Sequence, residues 1–446
     1  MGAKMTNRIL VITVGCLLIV FFFLIYNKAK VATTTYSIFE MEIDSNEDQE
    51  EVEIQETIDE NKVITFADKN LERIVREKIG KPSGEIKLGE VQGITAIDAS
   101  DDLPLPRHRF HDASNPKIHE KAILSLEGIR YLTNLRELNL SNNAISDLSE
   151  LKYLKKLNKL ELKNLYLHKA GESDISALSE LVNLKYLDLF WNHLNDISPL
   201  ENLVNLEYLN LADNELRDLT PIANLINLCE LDLGSNNMQD IKPLSKLTNL
   251  RKLYFWENPV TDITPLANLK NLEELYLCYT RVNDIKVLMN LKDNLKVLTL
   301  STSGAIENLE VLSMLRNLNS LTLDDLSSVE KETLSLLANI DHLSRLALTG
   351  MEIKDTSFLQ DFTNLTELFL IDNELEDIRS LASLRKLEKV NLSQNHITEI
   401  KPLLELNNLR EVNLVRNRYD KEKEVEYMEV VEELRNRGIK VILEYK

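Results

Sequence analysis

A 22-residue repeat constrains this chain more than any other feature of its sequence. Four consecutive segments align letter by letter: LKYLDLFWNHLNDISPLENLVN from Leu184, LEYLNLADNELRDLTPIANLIN from Leu206, LCELDLGSNNMQDIKPLSKLTN from Leu228 and LRKLYFWENPVTDITPLANLKN from Leu250. The frame extends to fourteen units, which begin at Ile94, Leu135, Leu157, Leu184, Leu206, Leu228, Leu250, Leu272, Leu295, Leu318, Leu343, Leu365, Leu387 and Leu409. One unit cannot bury its apolar face alone, whereas a stack of units can, so the period predicts a solenoid.

Each unit divides into a strand, a turn and a short helical segment. Its first residues alternate apolar and polar, which is typical of a short strand with one buried face. An Asn at the ninth position is expected to turn inward and bond backbone groups of stacked units. These residues are Asn143, Asn192, Asn214, Asn236, Asn258, Asn373, Asn395 and Asn417. We expect the helical turns that follow to be N-capped by Asp196, Asp218, Asp240 and Asp262.

Four units depart from this pattern and are expected to be less regular. They begin at Leu272, Leu295, Leu318 and Leu343 and carry Thr280, Ser303, Leu326 and Met351 at the ninth position.

The two ends of the repeat array are expected to be closed by helices. Asp68 is placed to begin a helix with an apolar stripe formed by Leu71, Ile74, Val75 and Ile79, and Gly80 is placed to end it. Residues 421–437 predict an amphipathic helix closed by Gly438, and IKVILEY predicts a last strand. A solenoid needs such ends because its core would otherwise face water.

The repeats and the segment FADKNLERIVREKIGKPSGEIKLGEVQGITAID resemble the internalin family of Gram-positive surface proteins, over about residues 63–446. The resemblance implies an α/β fold, a leucine-rich repeat solenoid of about 14 repeats. It implies a parallel β-sheet on the concave face, short 3-10 or helical turns on the convex face, and helical N-terminal and C-terminal caps. The expected boundaries are 63–93 for the first cap, 94–417 for the repeats and 418–446 for the second cap. The printed sequence has no LPxTG wall-anchor motif, so only recognition of a surface partner is carried over, and host invasion is not.

Residues 9–26, ILVITVGCLLIVFFFLIY, carry no charge and have about the length that spans a bilayer as a helix. Because Lys4 and Arg8 precede this run, we expect residues 1–8 in the cytoplasm, a signal anchor at 9–26 and the repeats outside the membrane, at a bacterial cell surface. A cleaved signal peptide, which would give a secreted protein, and a lipoprotein modified at Cys16 are the alternatives. Residues 31–62 hold eleven Asp or Glu and one Lys, which predicts an acidic disordered linker, with a docking tail as the alternative.

Charge and motif content exclude several classes of function. The net charge of −20 argues against a nucleic-acid partner. The three Cys have no CxxC spacing, which argues against a zinc site or a disulfide framework. Insertions at 101–121 and 168–173 hold four His without ligand spacing, so loop packing or partner contact is favoured over a metal. No catalytic or cofactor-binding motif occurs, so we expect no enzyme activity, no cofactor and no metal.

Five consecutive units, from Leu184 to Leu272, place eight aromatic residues at outward positions, and both Trp are among them. The third, fifth and seventh residues of a unit are expected to point out of the sheet, with the eighth at its edge. Contiguous exposed aromatics mark interaction sites, and an acidic frame suits a partner with apolar and basic groups. The structural alternative for the tyrosines is cross-strand packing. The candidate ligand-binding residues are Tyr186, Asp188, Phe190, Trp191, Tyr208, Glu230, Asp232, Tyr254, Trp256, Glu257, Glu274, Tyr276 and Tyr279.

Within this set, Phe190 and Trp256 are expected to form two walls about 14 Å apart, with Ala212 and Gly234 as the floor of a trough. The predicted function is a membrane-anchored, extracytoplasmic repeat protein that binds a protein partner without catalysis. One alternative is a carbohydrate- or cell-wall-binding module that recognises a polysaccharide. The other is a cytosolic scaffold similar to the eukaryotic phosphatase-regulating repeat proteins, for which the apolar run at 9–26 has no use.

Overall fold

The computed structural model describes residues 59–100, 121–165, 174–302, 305–326, 329, 331–417 and 424–443. Fifteen strands of the described chain form one parallel sheet in sequential order, and strands β1 (Val63–Ile64) and β2 (Ile86–Lys87) form an antiparallel pair before it. The parallel strands are β3 (Ala96–Asp98), β4 (Glu137–Asn139), β5 (Lys159–Glu161), β6 (Tyr186–Asp188), β7 (Tyr208–Asn210), β8 (Glu230–Asp232), β9 (Lys252–Tyr254), β10 (Glu274–Thr280), β11 (Val297–Thr302), β12 (Ser320–Asp324), β13 (Arg345–Thr349), β14 (Glu367–Phe369), β15 (Lys389–Asn391), β16 (Glu411–Asn413) and β17 (Lys440–Ile442). Each predicted unit supplies one strand and IKVILEY supplies the last, so the predicted leucine-rich repeat solenoid is confirmed.

Short helical segments connect the strands. The α-helices are α1 (Lys69–Ile79), α2 (Leu88–Val91), α3 (Lys331–Leu336) and α4 (Glu424–Asn436). The 3-10 segments are Ile129–Tyr131, Ser149–Tyr153, Ser176–Glu180, Ser198–Leu200, Thr220–Ile222, Lys242–Lys246, Thr264–Asn268, Lys286–Leu291, Leu309–Met314, Leu337–Asn339, Ser357–Asp361, Arg379–Ser383 and Lys401–Glu405. Because each 3-10 segment is only one or two turns long, successive strands of the repeats can pair directly at about 4.8 Å spacing.

The core is one continuous apolar column that runs through the whole stack. In the unit from Leu184, that residue, Leu187 and Leu189 are completely buried, and the same positions are buried in the neighbouring units. The alternation of the strands therefore directs one side of the sheet into the core and leaves the other side facing out.

The inward-turned Asn residues are confirmed as a ladder between units. The Oδ1 of Asn214 accepts hydrogen bonds from the backbone N–H groups of Asn192 (3.1 Å) and Leu194 (2.9 Å). Its Nδ2 donates to the carbonyl of Leu189 in the preceding unit (3.1 Å) and to the carbonyl of Leu211 in its own unit. The other predicted ladder residues also bond the preceding unit through both amide atoms. Each amide thus satisfies backbone groups that would otherwise be buried without partners.

The four consecutive units that begin at Leu272, Leu295, Leu318 and Leu343 have longer strands. Strand β10 has seven residues, β11 has six, and β12 and β13 have five, whereas β4 to β9 have three each. The pairing of β10 with β11 shifts register between Leu277 and Thr280. The expected irregularity of these units is confirmed.

The predicted N-caps of the helical turns are wrong by one residue. Oδ1 of Asp196 accepts from the N–H of Ser198 (2.8 Å), but Ile197 occupies the N-cap position. Asp218, Asp240 and Asp262 make the same bond two residues ahead. These carboxylates form Asx turns that bend the chain into the 3-10 segment, which explains why Asp is used there.

The predicted terminal helices are present in the described chain. Oδ1 of Asp68 accepts from the N–H groups of Asn70 (2.8 Å) and Leu71 (3.1 Å), and Gly80 ends α1 with a φ of +66°. Helix α4 buries Tyr427, Val430, Val431 and Leu434, and Gly438 follows it with a φ of +81°.

Some predicted segments lie outside the described residues. They are residues 1–8, the anchor at 9–26, residues 31–58 of the linker, and all four histidines of the two insertions. The rest of the predicted linker, Asp59 to Lys62, belongs to the fold, because the N–H of Gly89 donates to the carbonyl of Glu60 and that of Leu88 to Lys62. The described ranges contain no helix with both the length and the apolar character that crossing a bilayer requires.

Candidate partner-binding surface

Strands β6 to β10 bring most of the predicted site residues onto one outward side of the sheet. The register pairs Tyr186 with Tyr208 and Asp232 with Tyr254, so equivalent positions form columns across the strands. The residues between them, such as Leu187 and Leu231, are completely buried. We call the side chains of Tyr186, Phe190, Trp191, Tyr208, Tyr254, Trp256, Tyr276 and Tyr279, all of which are half-buried, the aromatic patch.

Four tyrosines of the aromatic patch form two stacks. The ring centroids of Tyr186 and Tyr208 lie 4.1 Å apart with the planes 2° from parallel, and those of Tyr254 and Tyr276 lie 4.5 Å apart at 11°. Burial raises the pKa of all four hydroxyls, so they stay protonated at neutral pH. Part of the tyrosine surface is therefore used in cross-strand packing, which is the structural alternative that the sequence left open for these residues.

Trp191 lies at the edge of the sheet in an unfavourable backbone conformation. Its φ is +57°, and the eighth residue of the neighbouring units also has a positive φ. The residues at this position in the other units include Asn142, Asn164, Asp213, Ser235, Glu257 and Tyr279, so the left-handed turn belongs to the repeat itself. A Trp there is strained, and its ring is tilted against Phe190 at 6.5 Å rather than inserted in the core.

Trp256 lies down on the sheet instead of standing as a wall. A Cβ added to Gly234 would be 2.1 Å from Cε2 of Trp256, so the indole covers the glycine of the preceding unit. The expected trough with an open floor at Gly234 is therefore wrong. A side chain at position 234 would have to displace this indole.

Asp188 is not displayed, although the sequence places it on the outward side. It is 1% exposed and lies 3.0 Å from the ammonium of Lys163, which also contacts Glu161 at 3.3 Å. Burial raises the pKa of Asp188, and the nearby ammonium of Lys163 opposes that rise. Burial of Lys163 acts to lower the pKa of the lysine, but the nearby acidic groups, Asp188 first among them, outweigh it, so the pKa of Lys163 is raised. Asp188 is thus one half of an internal ion pair, and its Oδ1 accepts from the N–H of Phe190.

Glu230 and Glu274 also have an internal counter-ion. The ammonium of Lys252 lies between them, 3.7 Å from Glu230 and 3.6 Å from Glu274. The hydroxyl of Tyr276 donates to Glu274 at 2.9 Å. Burial raises the pKa of Glu230, and Lys252 opposes that rise.

Asp232 differs from these acids because no cation of the described chain pairs with it. Its Oδ1 accepts from the N–H of Gly234 (3.0 Å), which is the turn bond that Asn210 makes to Ala212 one unit earlier. Burial raises the pKa of Asp232 to about 7, with further contributions from the carboxylates of Asp188, Asp213 and Glu230 and an opposing one from the Gly234 N–H. A half-buried acid that is only partly ionised at neutral pH lies at the centre of the patch.

The last two predicted residues lie at the edge of the sheet. Tyr279 has a φ of +55°, and its hydroxyl donates to Oδ2 of Asp324 at 3.3 Å, two units further on. Glu257 is exposed, with a φ of +51°.

Sequence reasoning missed the lysines that neutralise the acids and a second Asn column. Lys159, Lys163 and Lys252 stand at outward positions, and alternating charge along those columns was the available signal. In the unit from Leu184 the last residue is Asn205, which donates through Nδ2 to the carbonyl of Val182 at 2.9 Å. Asn227 and Asn249 repeat this bond, and every quoted unit ends in Asn.

Comparisons with known proteins agree with this geometry. Residues 182–224 and 226–268 match the family model Leucine Rich repeats (2 copies). The structure of an internalin, InlF, from Listeria monocytogenes is 29% identical, covers 78% of this chain and 95% of that chain, and superposes with a TM-score of 0.53. The chain is an internalin-like leucine-rich repeat protein.

Two further solved structures share the fold of this internalin-like protein. A leucine-rich repeat protein of Leptospira interrogans is 25% identical, with coverage of 71% of this chain and 80% of that one and a TM-score of 0.58. The functional domain of InlJ from Listeria monocytogenes, which includes a cysteine ladder, is 20% identical, with coverage of 81% and 78% and a TM-score of 0.56. The search among curated proteins gave no match.

Within the described ranges, no group of three or more His, Cys, Asp or Glu side chains is arranged to hold a metal ion. His193 and Glu215 form an exposed pair at 3.0 Å. What the surface presents is aromatic area with a partly buried acid, which suits binding.

Proposed function

We propose that this internalin-like protein binds a protein partner through the aromatic patch and performs no catalysis itself. The internalin type of fold supports a protein-binding role at the level of class. The patch supports its location, since Trp and Tyr are the residues that most often dominate the energy of protein interfaces.

The observation that carries the proposal is the joint display of Phe190 and Trp191. Both side chains are half-buried, and the indole lies tilted against Phe190 at 6.5 Å, at the edge of the sheet and outside the apolar core. Two large aromatic side chains that are partly exposed side by side are typical of interaction sites.

A capture experiment tests the proposal. The immobilised full chain is compared with a Phe190→Ala/Trp191→Asn variant and with Tyr153→Ala, which removes an exposed aromatic outside the patch. We expect wild type and Tyr153→Ala to retain the same binding partner in equal amounts. The Phe190→Ala/Trp191→Asn variant should fail to retain it. Equal retention by all three would refute the patch.

The chemical class of the captured material separates protein from polysaccharide. A protein partner loses binding after protease treatment and keeps it after periodate oxidation. The opposite pattern would identify a carbohydrate-binding module instead.

We also propose that residues 9–26 anchor the chain in the membrane, with residues 31–58 as an acidic spacer and the repeats outside the cell. The uncharged 18-residue run and the positive residues before it support this arrangement. Cys229 provides a direct test, because its thiol is exposed. A membrane-impermeant maleimide should label intact cells that express wild type but not Cys229→Ser. Labelling only after lysis would favour the cytosolic scaffold.

A further inference from the structure

Most acids on the outward side of β5 to β10 have a cation supplied by the chain itself. Lys163 pairs with Asp188, Lys159 with Glu161 at 2.9 Å, and Lys252 with Glu230 and Glu274. Asp232 is the exception among the described acids of these strand columns, and its hydrogen bond to Gly234 engages only Oδ1. Oδ2 therefore lacks a protein donor within the described chain.

The sheet shows twice how it combines an acid, an aromatic ring and a cation. The ammonium of Lys159 lies 5.0 Å from the centroid of the Tyr186 ring while it pairs with Glu161. Such a cation is held both by the carboxylate and by the electron-rich ring face.

The second complete set lies at the other end of the sheet. The guanidinium of Arg345 lies 4.2 Å from the centroid of the Phe369 ring and 2.7 Å from Glu367. In both sets the three groups come from two adjacent strands, so the arrangement follows from the register.

Around Asp232 the acid and the rings are present and the cation is missing. Tyr254 is the direct neighbour of Asp232 on the adjacent strand. The indole of Trp256 covers Gly234, which lies two residues after Asp232 in the chain. Asp232 is only half-buried, so a side chain from outside can reach it.

We propose that Asp232 receives a cationic side chain, arginine or lysine, from the protein partner and thereby completes the third set. This proposal rests on the proposed function, because it names the chemistry by which the aromatic patch selects its partner. The partner's cation would pair with Oδ2 and lie against Tyr254 and Trp256. A neutral partner side chain would leave the acid buried without compensation, so the site discriminates by charge.

Fluorine NMR of the full chain labelled with 5-fluorotryptophan gives a direct test, because the chain has only two Trp. The two signals are assigned with Trp191→Phe, and Trp191 then serves as the internal reference. The probes are acetylated, amidated Gly-Arg-Gly and the same peptide with citrulline, which has the shape of arginine without its charge. We expect a saturable shift of the Trp256 signal with the arginine peptide and none with the citrulline peptide.

Two variants complete the design. Asp232→Asn keeps the turn bond, as Asn210 does, and should weaken the arginine peptide at least tenfold. Asp218→Asn makes the same chemical change in a turn of a 3-10 segment and should leave the affinity unchanged. Equal response to both peptides, wild-type affinity in Asp232→Asn, or no saturable response in wild type would each overturn the proposal. The capture experiment with the patch variant is independent of these peptides, so failure of the cation site and failure of the patch give different results.

Discussion

Replacing Asp232 with Asn removes one charge from the centre of the aromatic patch and keeps the local hydrogen bond. Oδ1 accepts from Gly234 at 3.0 Å, and Asn210 shows that an amide oxygen makes the same bond at the same distance. The variant therefore isolates the charge from the geometry. We expect Asp232→Asn to be more stable than wild type above pH 7, since no described cation compensates the buried carboxylate.

The magnitude follows from the pKa of the carboxyl, which burial raises from 3.8 to about 7. A rise of the pKa from 3.8 to about 7 corresponds to a loss of folding stability of at most ~4 kcal/mol, and partial exposure of the carboxyl to water reduces this loss to about 1–2 kcal/mol. Because the folded pKa is the higher one, ionisation of Asp232 destabilises the fold. The penalty is complete above pH 7, falls as the pH decreases towards 4, and is absent below the unfolded pKa.

Urea unfolding at a series of pH values between 4 and 8.5 measures the effect as the difference in midpoint between wild type and variant. The difference should be largest at pH 8 and should vanish near pH 4. Asp188→Asn provides a comparison at the equivalent position two units earlier. Because this change also removes a partner of Lys163, its gain in stability above pH 7 should be smaller than that of Asp232→Asn. A pH-independent difference for Asp232→Asn, or an equal or larger gain for Asp188→Asn, would refute the charge accounting.

Three further substitutions test separate parts of the structure. Trp191→Asn should change the free energy of unfolding by less than about 1 kcal/mol, since relief of the left-handed strain offsets the lost contact with Phe190. The same variant should weaken partner binding at least tenfold in a titration. A large loss of stability with unchanged binding would contradict this prediction. Asn214→Leu should lower the free energy of unfolding in urea by about 3–5 kcal/mol, because it leaves buried donors and acceptors in two units unsatisfied. Asn227 is exposed, so Asn227→Ala should lower it by only about 1 kcal/mol. Equal losses in the two variants would argue against a stabilising role of the Asn ladder. Gly234→Ala should displace the indole of Trp256, because the new Cβ would lie 2.1 Å from Cε2 of that ring. The fluorine signal of Trp256 should therefore move, while the signal of Trp191 stays in place. Two unchanged signals would show that the ring does not rest on the glycine.

The repeat allowed the architecture to be read directly from the sequence. A fixed period places the same residue in the same environment in every unit, so the burial of strand leucines such as Leu187 and the inward turn of Asn192 follow from the pattern. The assignment of Asp196 as an N-cap was off by one residue, because period alone does not distinguish a cap from the Asx turn that precedes it.

The candidate site was only partly predictable, since its residues depend on neighbours in other units. The columns and the tyrosine stacks follow from the register, which the sequence determined by itself. The orientation of the Trp256 indole relative to the sheet depends on side-chain directions across strands that are 22 residues apart in sequence. The same is true of whether an outward acid forms an ion pair with a lysine. Asp188 and Asp232 have the same unit position, the same residue type and the same turn bond. Only the tertiary structure distinguishes them, because Lys163 reaches the first and no described cation reaches the second.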